Sequence, residues 1–375
     1  MSVKFPLYLK VCLVGISLYL ISIIASGARN FILPLVFAGL LAILFSPVVT
    51  FLVNKGWNRT LAILSILITA TSITFIAILL LSSQVDLLSE SLPQMRLKFM
   101  QLADDSVLWL SDHYHLDRGK ITNVIDQTTA DIAGSSSAAI GSTLLSLGGV
   151  LAMVFLTPVY VFMILLYHNH LVEFVYRVFG ESNNVKVGEI IKETKVIIQS
   201  YLVGLFTEFL IVAALNVTGL LILGIDYAVL LGICGALLNV IPYIGALISV
   251  GVFMLVALMT KTPVYLLYVA IMYLFIQFID NNYVVPRIVG SRVKLNALVS
   301  LVVVVAGAAV WGIPGMFLSI PLLAIVKLIF DRIDGFKAWG FLLGQVVVPV
   351  KGKMPHEQLT SYIRTVLKTP ANPPK

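Results

Sequence analysis

Charge is what this sequence has least of. Only 11% of its 375 residues are Asp, Glu, Lys or Arg, against roughly 25% in a soluble domain. With 59% hydrophobic residues and a mean hydropathy of +1.01, the chain reads as an integral membrane protein. Cysteine is nearly absent. Cys12 and Cys234 lie inside apolar stretches with no CxxC pair, so neither a disulfide framework nor a zinc site is indicated. No P-loop, Gly-rich dinucleotide fingerprint, GxSxG elbow or HExxH occurs. ATP-driven pumping therefore has no support, and the chain reads as a non-enzyme with no cofactor and no metal. The net charge of +7 comes from bases in short stretches beside apolar runs. That is the positive-inside pattern of a membrane protein rather than a nucleic-acid surface.

What the chain has instead is long apolar runs: 11–28, 31–53, 60–83, 144–167, 200–223, 228–260, 263–279 and 297–330. Six have lengths suited to one crossing. The first could be a signal peptide, since Lys4 and Lys10 precede it and Ala25–Ala28 loosely resembles a cleavage site. A second run starts at Phe31, so 11–28 reads as an uncleaved span. The runs 228–260 and 297–330 are too long for one span and too short for two. As one straight helix the 34 residues from Ala297 to Phe330 would be about 51 Å long, against a hydrocarbon core of about 30 Å.

The connections divide by charge. Residues 84–143 hold eight acids and four bases, with Leu88, Leu92, Met95, Phe99 and Leu102 spaced as an amphipathic helix stripe. Residues 168–199 carry four bases and four acids in an amphipathic pattern, as expected of an interfacial or cytoplasmic connector. Lys and Arg bias puts the N-terminus, 54–59, 168–199 and the tail after Phe330 in the cytoplasm, with 84–143 outside. All basic connections agree only if both long runs are hairpins, each entering and leaving from one face. The expected fold is thus an all-α polytopic membrane protein of the bacterial inner membrane, with six spans and two re-entrant or broken hairpins. Its parts are a three-span bundle (1–83), an extramembrane insert (84–143), a fourth span with its connector (144–199), a core (200–330) and a cytoplasmic tail (331–375).

Span plus hairpin (200–223, 228–260) is followed by span plus hairpin (263–279, 297–330), facing the opposite way. The hairpin breaks are alike: Ile241-Pro242-Tyr243-Ile244-Gly245 and Gly312-Ile313-Pro314-Gly315, leading to Ser249 and Ser319. Inverted repeats with broken helices are a transporter signature. Proline ends a helix and glycine lets the chain turn. Freed N–H groups at such tips can hold an anionic or polar solute, whereas a plain proline kink would hold nothing. Polar residues at depth complete the candidate pathway. Glu208 could couple to protons or sodium, or be a neutral carboxylic acid holding helices together. Asn216, Asn239 and Gln277 read as interhelical hydrogen-bond partners, with Asn239 three residues before the Pro242 break. Asp280, Asn281 and Asn282, beside Pro286, form a polar knot that either ends a helix at the interface or holds a cation or polar solute.

Three elements together resemble one family: Ala236-Leu-Leu-Asn-Val-Ile-Pro-Tyr-Ile-Gly245, Asp280-Asn-Asn-Tyr-Val-Val-Pro-Arg-Ile-Val-Gly290 and Trp311-Gly-Ile-Pro-Gly-Met-Phe-Leu-Ser-Ile-Pro321. They are similar to the autoinducer-2 exporter family of bacterial permeases, over nearly the whole chain. Many members carry proline after the residue matching Asn296, where this chain has Ala297. The resemblance implies a secondary transporter or exporter of a small polar solute, such as a quorum-sensing autoinducer-2-like molecule. It leaves open a sodium/proton antiporter, and a non-transporting membrane scaffold stands as a third reading. It also implies a homo-oligomer.

Overall fold

A chain this apolar must satisfy its backbone hydrogen bonds internally, and helices do so within one segment. The computed structural model describes residues 6–114, 155–179, 184–241, 244–288 and 295–345, and helices dominate them. In order these are α1 (Leu7–Gly27), α2 (Arg29–Asn54), α3 (Arg59–Tyr114), α4 (Phe155–Leu166), α5 (His168–Phe179), α6 (Asn184–Ile222), α7 (Ala228–Asn239), α8 (Ile244–Thr260), α9 (Tyr265–Ile279), α10 (Val285–Ile288), α11 (Ala297–Arg332) and α12 (Lys337–Leu343). Four helices are long and apolar enough to cross a bilayer by length and composition: α2, the first 33 residues of α3, α6 and α11. The bent pair α4–α5 makes up to five. The chain is an all-α polytopic membrane protein.

The bundle has two distinct ends, and side chains fix which connection lies at which. At one end the Arg59 guanidinium donates to the Leu165 carbonyl (2.7 Å), Lys195 donates to Ser46 (3.0 Å), and Arg332 pairs with Glu189 and Glu193. This is the basic end. At the other, Lys98 donates to the Lys261 carbonyl (3.0 Å) and the Tyr227 hydroxyl bonds Ser91 (2.6 Å). Helix α3 does not stop at residue 83. It runs on to Tyr114, 56 residues or about 84 Å. Of the amphipathic stripe, Met95 is buried and Leu88 partly buried, both in one apolar cluster with residues of α7, α8 and α9. Similarly α6 has no break near residue 200, and its first turns extend beyond the basic end. The expected fourth span is described from Phe155 onward, and residues 144–154 lie outside the described residues.

Both long apolar runs fold back on themselves. In the first, α7 and α8 lie side by side, with the break after Asn239. Gly245 sits so close to α7 that a Cβ there would come 1.7 Å from the Leu238 carbonyl oxygen. The buried Ser249 hydroxyl then ties α8 to α7, 2.7 Å from the Gly245 carbonyl and 3.0 Å from that of Gly235. The run 297–332 is likewise not one rod, because two helices meet at a kink at Gly312. Gly312 takes φ 64°, ψ −142°, a backbone that L side chains rarely adopt. A straight helix would separate Val303 and Ser319 by about 24 Å. Instead the Ser319 hydroxyl lies 3.0 Å from the Val303 carbonyl and 2.6 Å from that of Gly315. A Cβ on Gly315 would meet the Gly307 oxygen at 2.0 Å. So α11 is a helical hairpin whose arms both return to the basic end. There Asn296 accepts from the Leu298 amide (2.9 Å) and donates its own amide to the Leu343 carbonyl (2.9 Å).

The two hairpins therefore share one construction. Each has a glycine in contact with the opposite arm's backbone, and a serine four residues later closes it. They open to opposite ends of the bundle. α6 leads into the first, and α9 leads back toward the second.

Candidate functional site

The first hairpin's break meets a distortion in α9. Pro286 has no N–H to offer and its ring crowds the preceding turn. The helix responds by widening over Asp280–Val284 into a π-turn, in which the Val285 amide bonds the Asp280 carbonyl five residues back. Such bulges recur at functional sites. This one turns Asp280 inward, leaving it 2% exposed, while Asn281 and Asn282 face outward.

Asp280 is the end of a polar chain. The Asn239 side-chain amide donates to its Oδ2 (3.0 Å). Gln277 in turn donates to the Asn239 oxygen (3.0 Å) and lies 2.9 Å from the Tyr273 hydroxyl. Asn281 reaches the Gln277 oxygen at 3.4 Å. Because Asn239 gives its N–H to Asp280, its oxygen is committed to Gln277, so the chain's donors point toward the carboxylate. The other carboxylate oxygen, Oδ1, is buried and has no partner among the described residues.

Helix α6 carries two further buried polar groups, of which Glu208 lies within reach of this chain. Glu208, 9% exposed, is near enough to feel the Asp280 charge, and its own charge acts on Tyr201. It lies 14 residues before Ile222, the end of α6, or about 21 Å, which is well inside a core of about 30 Å. Two turns further along α6, Asn216 is 1% exposed, and neither polar atom of its side chain has a partner among the described residues. Helix α6 can approach because small residues line its contacts. Gly232 of α7 fits against Val217, and Gly219 packs on Met272 and Ile276 of α9.

The sequence-expected residues thus separate into groups. Glu208, Asn239, Gln277, Asp280 and Asn281 converge. Asn282 bonds the Phe278 carbonyl (2.8 Å), a local contact on the outer face of the turn. Pro286 shapes the π-turn, Gly245 sets the hairpin spacing, and Asn296 caps α11. Pro242 and Tyr243 lie outside the described residues. Gly312, Pro314 and Gly315 belong to the other tip. That tip packs toward α1 and α2 through Trp311, which donates to the Ala25 carbonyl (2.9 Å), and Phe317, stacked on Phe37. No described hydrogen bond joins it to the Asn239 chain. Sequence reasoning left out Tyr273 and Tyr201, because a tyrosine in an apolar run looks like core. The spacing of Tyr273 four residues before Gln277 was the available signal.

Chemically the site is rich in acceptors. Asp280 Oδ1 and the Glu208 carboxyl offer oxygens that no described group saturates, and no described Lys or Arg forms an ion pair with either. A burial this costly, about 2.5–3.5 kcal/mol per ionised group at membrane depth, selects for a proton, a cation or a solute bearing hydrogen-bond donors, and against an anion. Among the described residues no group of three potential metal ligands occurs.

Comparison with known proteins gives a consistent assignment. The family model described as AI-2E family transporter matches residues 11–335. The chain is 26% identical over 313 residues to the candidate transport protein YueF of Bacillus subtilis, covering 80% of this chain and 83% of that protein. It is 24% identical over 326 residues to the candidate transport protein YhhT of Escherichia coli K12, covering 85% and 89%. It is 28% identical over 218 residues to the candidate permease PerM of the same strain, covering 56% and 61%.

Proposed function

Since the chain belongs to the AI-2E transporter family, and is a membrane transporter, we propose that it is a secondary-type carrier or exporter of a small polar solute. The solute is uncharged or cationic and rich in hydrogen-bond donors, as an autoinducer-2-like polyol is. The observation that carries this reading is the Asn239–Asp280 bond, which ties the first hairpin's break to the π-turn of α9. A solute that hydrogen-bonds Asp280 competes with Asn239, so occupancy and hairpin position are linked. In this reading both hairpins are re-entrant and form an inverted repeat in the bacterial inner membrane. The basic end, with both termini, faces the cytoplasm, which agrees with the positive-inside bias. Single cysteines test the orientation in a Cys12- and Cys234-free background. One at Lys261 should label from outside intact cells and one at Gly335 should be protected; the reverse pattern would overturn it.

The paired carboxyls Glu208 and Asp280 favour a second reading, sodium/proton antiport, in which the two share the coupling ion. A flux panel in proteoliposomes separates the readings. We expect uptake of neutral furanose-like polyols, reduced at least tenfold by Asp280→Asn and by Asn239→Ala. Sodium flux abolished by Glu208→Gln, with no polyol movement, would make the antiporter reading correct. If neither polyols, sodium nor a broad metabolite panel move, the scaffold reading replaces both.

A further inference from the structure

A second site lies at the basic end, away from the polar chain. Helices α2, α4, α5 and α6 enclose a cavity of about 250 Å³. Its body is apolar, built from Ala42, Ile43, Ile164, Leu165, Ile190 and Ile191, and its rim carries Ser46, Thr194, His168 and Lys195. Lys195 makes one described hydrogen bond, to Ser46, and no ion pair. The charges of Lys195 and Arg59 both act on His168. The Arg59 Nη2 is spent on the Leu165 carbonyl, while its Nε is buried without a partner among the described residues. The carboxylates nearby are already engaged: Glu189 and Glu193 by Arg332, and Glu173 by Arg177. Lys195 and the His168 ring thus line one cavity mouth with Ser46 and Thr194, and no described acid pairs with Lys195.

The position of the mouth says what supplies the missing negative charge. The chain bends by 69° between α4 and α5, so α5 leaves the direction of the span. α5 then exposes Leu171, Phe174 and Val178 (44%, 61% and 59%) at spacings of three and four, while Arg177 and Glu173 pair on the solvated side. That is the pattern of a helix lying in the bilayer interface. A cavity beside it, apolar within and basic at the rim, matches a molecule with a hydrocarbon part and an anionic head. Basic pockets between membrane helices near the headgroup level are of this kind.

We propose that this cavity binds an anionic phospholipid, its phosphate held by Lys195 with hydrogen bonds from Ser46, Thr194 and His168, and part of an acyl chain occupying the apolar body. The bound lipid would bridge α2, α4 and α6 at one point.

The test uses the purified full chain in detergent and needs no transport assay, so its outcome is separate from that of the flux panel. Unfolding temperature is followed while phosphatidylglycerol, phosphatidylcholine or inorganic phosphate is added. Phosphatidylglycerol should stabilise at about tenfold lower concentration than phosphatidylcholine, and phosphate should have no effect. Lys195→Gln should narrow that difference by about fivefold, the weight of one basic residue at a membrane surface, while Lys192→Gln, outside the cavity, should leave it unchanged. Equal action of the two lipids overturns the proposal, as does a Lys195→Gln protein with undiminished selectivity. An effect of phosphate alone would make the site one for free anions. If Lys195→Gln does not fold, native mass spectrometry of the unaltered protein in equimolar lipid mixtures decides: preferential retention of phosphatidylglycerol supports the site, and equal retention removes it.

Discussion

Gly245→Ala should damage the first hairpin far more than an alanine in a helix normally could. The added methyl would lie 1.7 Å from the Leu238 carbonyl oxygen and 2.3 Å from its carbon. Both are backbone atoms within α7, so no rotamer change relieves the clash. Reaching ordinary contact requires the arms to separate by about 1.5–2 Å. Overpacking of this kind costs about 1–3 kcal/mol. The same separation stretches the Ser249–Gly235 contact, 3.0 Å in the closed hairpin, beyond hydrogen-bond range, for about 1 kcal/mol more. A total of roughly 2–4 kcal/mol corresponds to a fall of roughly 4–8 °C in unfolding temperature, at about 2 °C per kcal/mol. The control is Gly251→Ala in the same helix, where a Cβ meets nothing within 4 Å and helix propensity alone predicts a neutral or slightly stabilised protein. Thermal unfolding in detergent, followed by tryptophan fluorescence, reads both. If Gly245→Ala unfolds within about 1 °C of Gly251→Ala, the close approach of α7 and α8 does not hold the hairpin, and the spacing rule inferred for both hairpins fails with it.

The second hairpin should answer in the same way, with Gly315→Ala destabilising by a similar roughly 2–4 kcal/mol, because its Cβ would meet the Gly307 oxygen at 2.0 Å. Ser249→Ala and Ser319→Ala should each cost about 1 kcal/mol and their double mutant the sum, since the serines share no partner; marked non-additivity by thermal unfolding would mean that the hairpins are coupled. Asp280→Ala leaves the Asn239 donor buried and unpaired, so it should cost about 1–3 kcal/mol of stability as well as flux, whereas Asp280→Asn, which keeps an acceptor, should lose flux with most of the stability retained. His168 gives a pH dependence. Burial, then the charges of Lys195 and Arg59, hold its imidazole below the ordinary value, so the unfolded chain binds the proton more readily. Stability should therefore be full above the unfolded histidine value and fall as pH drops through the folded one; in lipid-free detergent His168→Gln should flatten the loss of unfolding temperature between about pH 7 and pH 5, and an unchanged slope would count against it.

The paired hairpins explain why two proline–glycine breaks of similar sequence have different surroundings. Each tip is built by the same local means, a glycine against the opposite backbone and a serine four residues on. The first tip reaches α6 and α9, where Glu208 and Asp280 wait. The second reaches α1 and α2, where Trp311 and Phe317 meet an alanine carbonyl and a phenyl ring. The shared construction gives the protein two similar hairpins and, among the described residues, one polar chain, joined to the first. The difference between the tips then rests on what each meets, not on how it is made.

Much of this was legible beforehand. The length of 297–330, the charge of its flanks and the Gly312 break together required the chain to turn back. The serines after each break were visible as a repeated pattern. What the pattern could not show was their use, since a hydroxyl in an apolar run is compatible with lipid, with a helix carbonyl or with a neighbouring arm. Asn239, Gln277 and Asp280 were each visible as polar residues in apolar runs. Their hydrogen-bonded order was not, because it depends on the π-turn that Pro286 forces and on which arm of the first hairpin faces α9.

The sequence by itself determined that the chain is a membrane protein, that it is helical, and where two of its apolar runs break. Those follow from composition, length and charge, which act locally along the chain. Only the tertiary structure decided that Glu208 lies within reach of the Asp280 charge, that no described hydrogen bond joins the second tip to the Asn239 chain, and that Lys195 and His168 line one apolar cavity. These depend on the rotation and depth of each helix within the bundle. Those are set by side-chain packing between segments far apart in sequence, such as Gly232 on Val217 and Gly219 on Met272, and no single segment carries that information.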